Sequence, residues 1–197
     1  MPRPRVTEPA AVLDAAARRL ASHGIARTSV DDVAEVAGVS RATVYRYVGS
    51  KNDVVQAVID REAENVLARV AEAISVATSP HEAIAGAVSA ALTAIAGNPV
   101  LARLVSSDLP DTLPFITTGA GGLIERCVVT LSNAIRAAPE LTTDDRAVEH
   151  ATEEATRFVL VHLTTPRRDG TRLRPLDAGN RAASLIAPML APTVRSS

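Results

Sequence analysis

Apolar residues in this chain recur every three or four positions almost from end to end, and nowhere alternate with polar ones for the length of a strand. That repeat matches the turn of a helix and not the two-residue period of a half-buried strand, so it restricts the chain to an all-α fold. Local punctuation agrees. Ser29, Ser40 and Ser50 stand where a side-chain oxygen can accept from the free amides of a helix start. After Ser29 and Ser50 an aspartate follows three residues on, as Asp32 and Asp53, in the pattern of a capping box. Gly24, Gly38 and Gly49 close the runs that precede these starts, glycine being the residue that most readily ends a helix at positive φ. Alanine supplies 36 of the 197 residues and there is no tryptophan, which favours helices that approach one another closely.

These signals predict nine helices. The first runs from Glu8 to Ser22, capped by Thr7, with Val12, Leu13, Ala16, Ala17 and Leu20 as its buried stripe. A short helix follows with Val30, Val33, Ala34 and Ala37 on one face, and Gly38 ends it. A third spans Arg41 to Val48, and a long fourth covers 53–77, broken by Ser79-Pro80. The fifth carries Ile84, Val88, Leu92 and Ile95 and stops at Gly97-Asn98-Pro99; a sixth covers 100–107. Two prolines make Asp108–Pro114 a loop. Helices are then expected over 115–137, from Thr143-Asp144-Asp145 to Leu163, and over 178–190. The loop between the last two holds Arg167, Arg168, Arg172 and Arg174. Short capped helices give way to longer ones near residue 50, which divides the chain into an N-terminal domain, 1–52, and a C-terminal helical bundle, 53–197.

Several chemistries are excluded. With 21 basic and 22 acidic residues the net charge is −1, so any nucleic-acid site must be local. The single cysteine, Cys127, can form neither an internal disulfide nor a cysteine metal site, which points to a reducing cytoplasm. No apolar run reaches the roughly 18 residues of a membrane helix. His23, His81, His150 and His162 lack metal-ligand spacing, and no nucleophile elbow or carboxylate pair stands out. The glycine run from Thr117 to Gly122 lacks the Gly-Lys-Ser/Thr of a phosphate loop. No metal, no cofactor, no membrane partner and no catalysis are expected.

The segment Asp31–Val48 does point to a function. Two short helices joined by Gly-Val-Ser have the length of a helix-turn-helix, with Ala34 small at the crossing and Val39 and Val44 pinning the second helix. Arg41, Thr43, Tyr45, Arg46 and Tyr47 remain for its outer face. From Val36 to Asn52 the bases are Arg41, Arg46 and Lys51, with no acid. A local positive face on a neutral chain fits a recognition helix in the major groove.

The run Thr28-Ser29-Val30-Asp31-Asp32-Val33-Ala34-Glu35-Val36-Ala37-Gly38-Val39-Ser40-Arg41-Ala42-Thr43-Val44-Tyr45-Arg46-Tyr47, followed by Ser50-Lys51, resembles the DNA-binding domain of TetR-type transcriptional regulators. The resemblance extends over about Ala11 to Val58. It implies DNA contacts from Thr28, Ser29, Arg41, Ala42, Thr43, Tyr45, Arg46, Tyr47 and Lys51. Arg41 and Thr43 would reach base edges, the tyrosines would donate to phosphates, and Lys51 looks like the family's phosphate-contacting lysine. Arg3 and Arg5 form a basic arm. Val48 stands where the family usually has an aromatic residue, which implies a looser head.

The resemblance further implies a dimer interface made by the last two helices and an effector pocket in the bundle. Phe115, Cys127, Phe158 and His162 are its candidate ligand contacts. The resulting expectation is a homodimeric, cytoplasmic, nucleoid-associated repressor that binds a pseudo-palindromic operator on double-stranded DNA and is released by a small apolar effector. Two other readings stay open at this level. One is an all-α small-molecule-binding protein or enzyme without a DNA-binding role. The other is a ligand-independent regulator acting through protein partners. A DNA shift assay separates the first, and ligand-induced release from DNA separates the second.

Overall fold

The structure is a computed structural model and describes residues 9–118, 122–138, 141 and 144–190. The expected cap at Thr7, the arm of Arg3 and Arg5, residues 119–121 of the glycine run and Thr143 lie outside the described residues. The described residues form ten α-helices and no strand, as the helical period requires. They are α1 (Pro9–His23), α2 (Val30–Ala37), α3 (Arg41–Tyr47), α4 (Lys51–Ser75), α5 (Pro80–Gly97), α6 (Pro99–Ser106), α7 (Leu109–Leu113), α8 (Leu123–Arg136), α9 (Asp145–Thr164) and α10 (Pro175–Ile186). A π-helical turn, Pro114–Thr118, follows α7, and a 3-10 turn, Ala187–Leu190, follows α10.

The helix beyond the nine expected is α7, which corrects the expected loop at Asp108–Pro114. Pro110 falls in the first turn, where no amide hydrogen is required, and Pro114 stands at the C-cap, where the α-helix ends. The buried Thr112 hydroxyl bonds the carbonyls of Leu104 (3.0 Å) and Asp108 (2.9 Å), which ties the turn down. The helix expected over 115–137 is divided, because Gly122 sits at φ 53° and α8 starts only after it. The last helix starts three residues earlier than expected, at Pro175, because proline is preorganised for a first helical position.

The described residues pack into two compact units. One comprises residues up to 63 with 98–118; the other comprises 64–97 with the described residues from 122 onward. In the first, α1 is the scaffold, and α2 and α6 pack against it. Ala15 and Ala16 are fully buried there beside Val12 and Leu20, so small side chains let the helices cross closely. A polar chain links three helices of the same unit. Arg61 on α4 donates to Asp14 on α1 (2.7 Å) and to the adjacent Glu62 (3.0 Å). Glu62 is buried and accepts from the Asn98 amide (2.7 Å), while Asn98 caps α6 through Val100 and Leu101. In the second unit α5 and α10 lie against each other, and a Cβ on Gly179 would come within 2.4 Å of the Ala85 carbonyl. The buried hydroxyls of Ser132 and Thr152 join α8 to α9 at 3.0 Å.

The turn after α1 is held from a distance in sequence. Gly24 adopts φ 79°, and the Asp108 carboxylate fills the space its Cβ would occupy, at 2.0 Å. Asp108 accepts from the Ile25 amide (3.1 Å) and from Arg103 Nε (3.3 Å). Gly24→Ala therefore combines left-handed strain with a steric conflict, and we expect it to cost about 2 kcal/mol or more in urea denaturation. Gly24→Ala/Asp108→Ala should lose less than the sum of the single changes, because the conflict is then absent; strict additivity would show that Asp108 does not limit the site.

The capping aspartates contribute to the acid limit. Hydrogen bonds from Ser29 to Asp32, and from Ser50 to Asp53, hold both carboxyls below their ordinary range. A carboxylate with a depressed folded pKa stabilises above its unfolded value and loses that contribution as pH falls through the folded one. The melting temperature should stay level down to about pH 5 and decline below about pH 4. Asp32→Asn/Asp53→Asn should show a shallower acid decline than the parent.

Candidate nucleic-acid interface

Both halves of the first capping box form. Ser29 Oγ accepts from the Asp32 amide (3.2 Å), and Asp32 accepts from the Ser29 amide (2.8 Å). Arg19 on α1 also donates to Asp32 (3.0 Å), which fastens α2 to the scaffold. Gly38 closes α2 in the left-handed region, and Ser40 caps α3 by accepting from the Thr43 amide (3.1 Å). Val44, 0% exposed, plugs α3 into the core of the first unit. This anchoring sets which side chains face outward: Arg41, Ala42, Tyr45 and Arg46 are exposed, while Thr43, Tyr47 and Val48 are half-buried.

The outward face is more organised than a row of solvated side chains. Arg41 Nη1 donates to Asp31 Oδ2 at 2.7 Å and Nη2 donates to the Tyr45 hydroxyl at 3.3 Å. Its Cζ also lies 5.4 Å from the Tyr45 ring centroid. The Tyr45 hydrogen bond, then the Asp31 charge, raise the pKa of this guanidinium still further, so it stays cationic. Arg46 Cζ lies 4.9 Å from the Tyr47 ring centroid, within range of a cation–π contact. The Thr43 hydroxyl shares a hydrogen bond with Ser40 (2.9 Å). Lys51, the first residue of α4, reaches back to the Ala26 carbonyl (3.4 Å).

Thr28 is the correction on this face. It is 3% exposed, and its hydroxyl donates to the Gly24 carbonyl at 2.7 Å, so it braces the turn from inside and does not present a donor at the surface. Ser29 is exposed but its hydroxyl donates to Asp32 (2.6 Å) as part of the cap. Asp31 is the residue that the sequence window missed. An acid-free stretch counted from Val36 omits it, yet folding the helix pair brings it against Arg41 across ten residues. Its signal was its place in the first turn of α2, directly before the capping Asp32.

The candidate effector residues divide between the units. Phe158 and His162 on α9 stack, with centroids 6.4 Å apart and planes 7° from parallel. Phe158 packs on the core of the second unit, and His162 Nε2 donates to the Leu173 carbonyl at 3.2 Å. Arg172 in turn donates to the His162 carbonyl. Cys127 is half-buried on α8, and burial pushes its thiol up to about 11, so it is neutral near pH 7. Phe115 is half-buried in the π-helical turn of the first unit. Among the described residues two open grooves lie on the second unit, and none of these four residues lines either of them. One, about 430 Å³, lies along α4 and α5 with Leu176 at its edge; the other, about 540 Å³, runs between α8 and α9 beside Val128, Val129 and Glu153. Among the described residues no cluster of histidine, cysteine and carboxylate side chains could hold a metal, and no single helix is long and apolar enough to cross a membrane.

Comparison with known proteins places this geometry. The family described as bacterial regulatory proteins, tetR family, matches residues 12–58. The family described as Bacterial Tetracyclin repressor, C-terminal domain, matches residues 79–188, more than half of the chain. An uncharacterised HTH-type transcriptional regulator of Mycobacterium tuberculosis is 28% identical over 95% of this chain and 89% of its own length. Two solved structures share the fold. The TetR family repressor AlkX of Dietzia sp., implicated in biodegradation of n-alkanes, has a TM-score of 0.73 at 24% identity over 95% of this chain and 97% of its own. The transcriptional regulator FadR of Bacillus subtilis, in complex with stearoyl-CoA, has a TM-score of 0.61 at 20% identity over 91% and 98%. With α2 and α3 built as a helix-turn-helix and both family matches in register with it and with the bundle, the chain belongs to the TetR family of bacterial regulatory proteins.

Proposed function

We propose that this protein is a ligand-responsive transcriptional repressor that binds a pseudo-palindromic operator as a homodimer. The observation that carries the reading is α3, which is plugged inward by Val44 and turns Arg41, Tyr45 and Arg46 outward. Residues 1–52 act as the DNA-binding domain and 53–197 as the effector-binding and dimerisation domain. Arg41 reads a guanine, Thr43 and Ala42 lie against neighbouring bases, and Tyr45, Arg46, Tyr47 and Lys51 hold the phosphate backbone, with Ser29 at the edge of the contact. The effector is apolar, of the alkyl or acyl class. The stearoyl-CoA bound by FadR and the alkane context of AlkX support that class. Phe115, Cys127, Phe158 and His162 remain the proposed effector contacts. Effector and operator favour different separations of the two recognition helices, so each weakens the other's binding.

Dimerisation is supported by apolar side chains left in water on the last two helices: Val161 is 59% exposed on α9, and Leu176 and Leu185 are 64% and 62% exposed on α10. Covering such residues with a second copy removes apolar surface from water.

Two measurements test this. A duplex enriched by the wild type from a random library, and its scrambled counterpart, are titrated by fluorescence anisotropy at several salt concentrations. Arg41→Ala should cost about 1–3 kcal/mol on the enriched duplex and relax one base preference per half-site. Lys51→Ala should weaken both duplexes alike and flatten log K against log salt by about one unit per lysine, hence about two for a dimer. A Lys51→Ala salt dependence that overlays the wild type would remove the phosphate role.

For the dimer, Val161→Asp/Leu185→Asp should yield a monomer by light scattering with little change in melting temperature, since both positions are exposed in the single chain. Phe158→Asp, by contrast, strands a charge against the core and should lower the melting temperature. A wild type that stays monomeric at micromolar concentration would contradict the symmetric-operator reading.

A further inference from the structure

Arg41 does not wait for DNA as a free cation. Asp31 holds Nη1 at 2.7 Å and the Tyr45 hydroxyl accepts from Nη2 at 3.3 Å, with the aromatic face close beneath. Asp31 and Arg41 come from different helices and remain 61% and 59% exposed. Their neighbour Asp32 is occupied by the Ser29 cap and by Arg19, so the two adjacent acids have separate tasks. An exposed pair of this kind contributes little to the fold. Its effect lies in what it does to the charge and aim of the one arginine at the start of the recognition helix.

We propose that Asp31 is a specificity-determining residue, which neutralises Arg41 toward phosphate and aims it at a guanine. This rests on the DNA-binding reading of α3. A guanidinium has five N–H donors. Asp31 and Tyr45 take one from each terminal nitrogen, which leaves one on each and the Nε–H. Two donors suffice for the O6 and N7 acceptors of guanine, so the pair with Asp31 survives base recognition. Phosphate recognition is different. Arg41 must either abandon Asp31 or carry its carboxylate against a phosphate, and both reduce the gain. On an arbitrary sequence, where only phosphates are offered, Arg41 therefore adds little; on the right base it adds two directed hydrogen bonds. The ratio of specific to non-specific affinity rises even though Asp31 lowers the positive charge of the face.

The test uses the full-length protein, with the wild-type-enriched duplex and its scrambled counterpart as probes. Asp31→Asn should bind the scrambled duplex about fivefold more tightly near 0.1 M salt, and its non-specific salt slope should steepen by about one unit per subunit as Arg41 becomes free to meet a phosphate. Discrimination between the two duplexes should fall three- to tenfold. Base preference should relax at the half-site position that Arg41→Ala relaxes, a readout that is independent of the active fraction of protein. In an Arg41→Ala background, Asp31→Asn should leave discrimination within about twofold. An Asp31→Asn protein that tightens on both duplexes by the same factor would overturn the proposal, since Asp31 would then be a general repulsive charge. So would a loss of discrimination that persists without Arg41. A wild type that enriches no sequence would remove the DNA-binding reading and this inference together, whereas normal enrichment with unchanged discrimination in Asp31→Asn removes this inference alone.

Discussion

Seven residues are too few to make a stable helix. Nucleation is unfavourable, and a stretch as short as α3 has too few internal hydrogen bonds to offset it. The candidate interface therefore depends on contacts that α3 makes with the rest of the head. Ser40 satisfies an amide at its start, Val44 is fully buried beneath it, and α2 packs alongside. Because Val44 fixes the rotation of the helix, it also decides that Arg41, Ala42, Tyr45 and Arg46 face out. A regulator that reads bases with a helix of this length needs a rigid platform, since small rotations would move every reading side chain at once.

That platform is α1 with its attachments. Its alanines admit α2 and α6 at close range, Arg19 reaches the cap of α2, and Asp14 reaches Arg61 on α4. The same scaffold is closed at its end by Asp108, which enters the space left by Gly24 and accepts from the Ile25 amide. Lys51 donates to the Ala26 carbonyl in that same turn, and the Thr28 hydroxyl braces it from within. The residues between α1 and α2 thus carry polar attachments from α4 and from the corner that precedes α7. A chain with few aromatic residues has few large side chains to wedge its helices apart or lock them together. Its core is built of aliphatic side chains such as Leu20 and Leu104, supplemented by close alanine contacts and these directed bonds.

Much of this was legible because it is local. The capping patterns at Ser29, Ser40 and Ser50, the glycine stops and the apolar periods each involve neighbours within four residues, and each appears in the structure close to its expected place. Arg41, Tyr45 and Arg46 on the outward face of α3 follow from the same periodicity, whereas Thr43 and Tyr47, expected there too, are half-buried. Where several weak rules compete, local reading failed. Two prolines read as a loop, yet they fall at the start and end of α7 and leave its turn intact. Thr28 looks like a surface residue beside a serine cap, but the fold turns it inward to Gly24. Phe158 sits on the core in phase with Ala151 and Ala155, but Val161, three residues on and also apolar, is left facing water by the packing.

The sequence by itself determined the fold class, the helix-turn-helix and the side chains available to it, because helical period, caps and stops act through hydrogen bonds between near neighbours. The tertiary structure alone decided which charges on that face are available. Arg41 meets Asp31 from another helix, Lys51 meets a carbonyl 25 residues away, and Asp108 completes a turn 83 residues before it. Coulomb attraction and steric fit depend on distance in space, and a linear pattern does not encode that distance until the chain has folded.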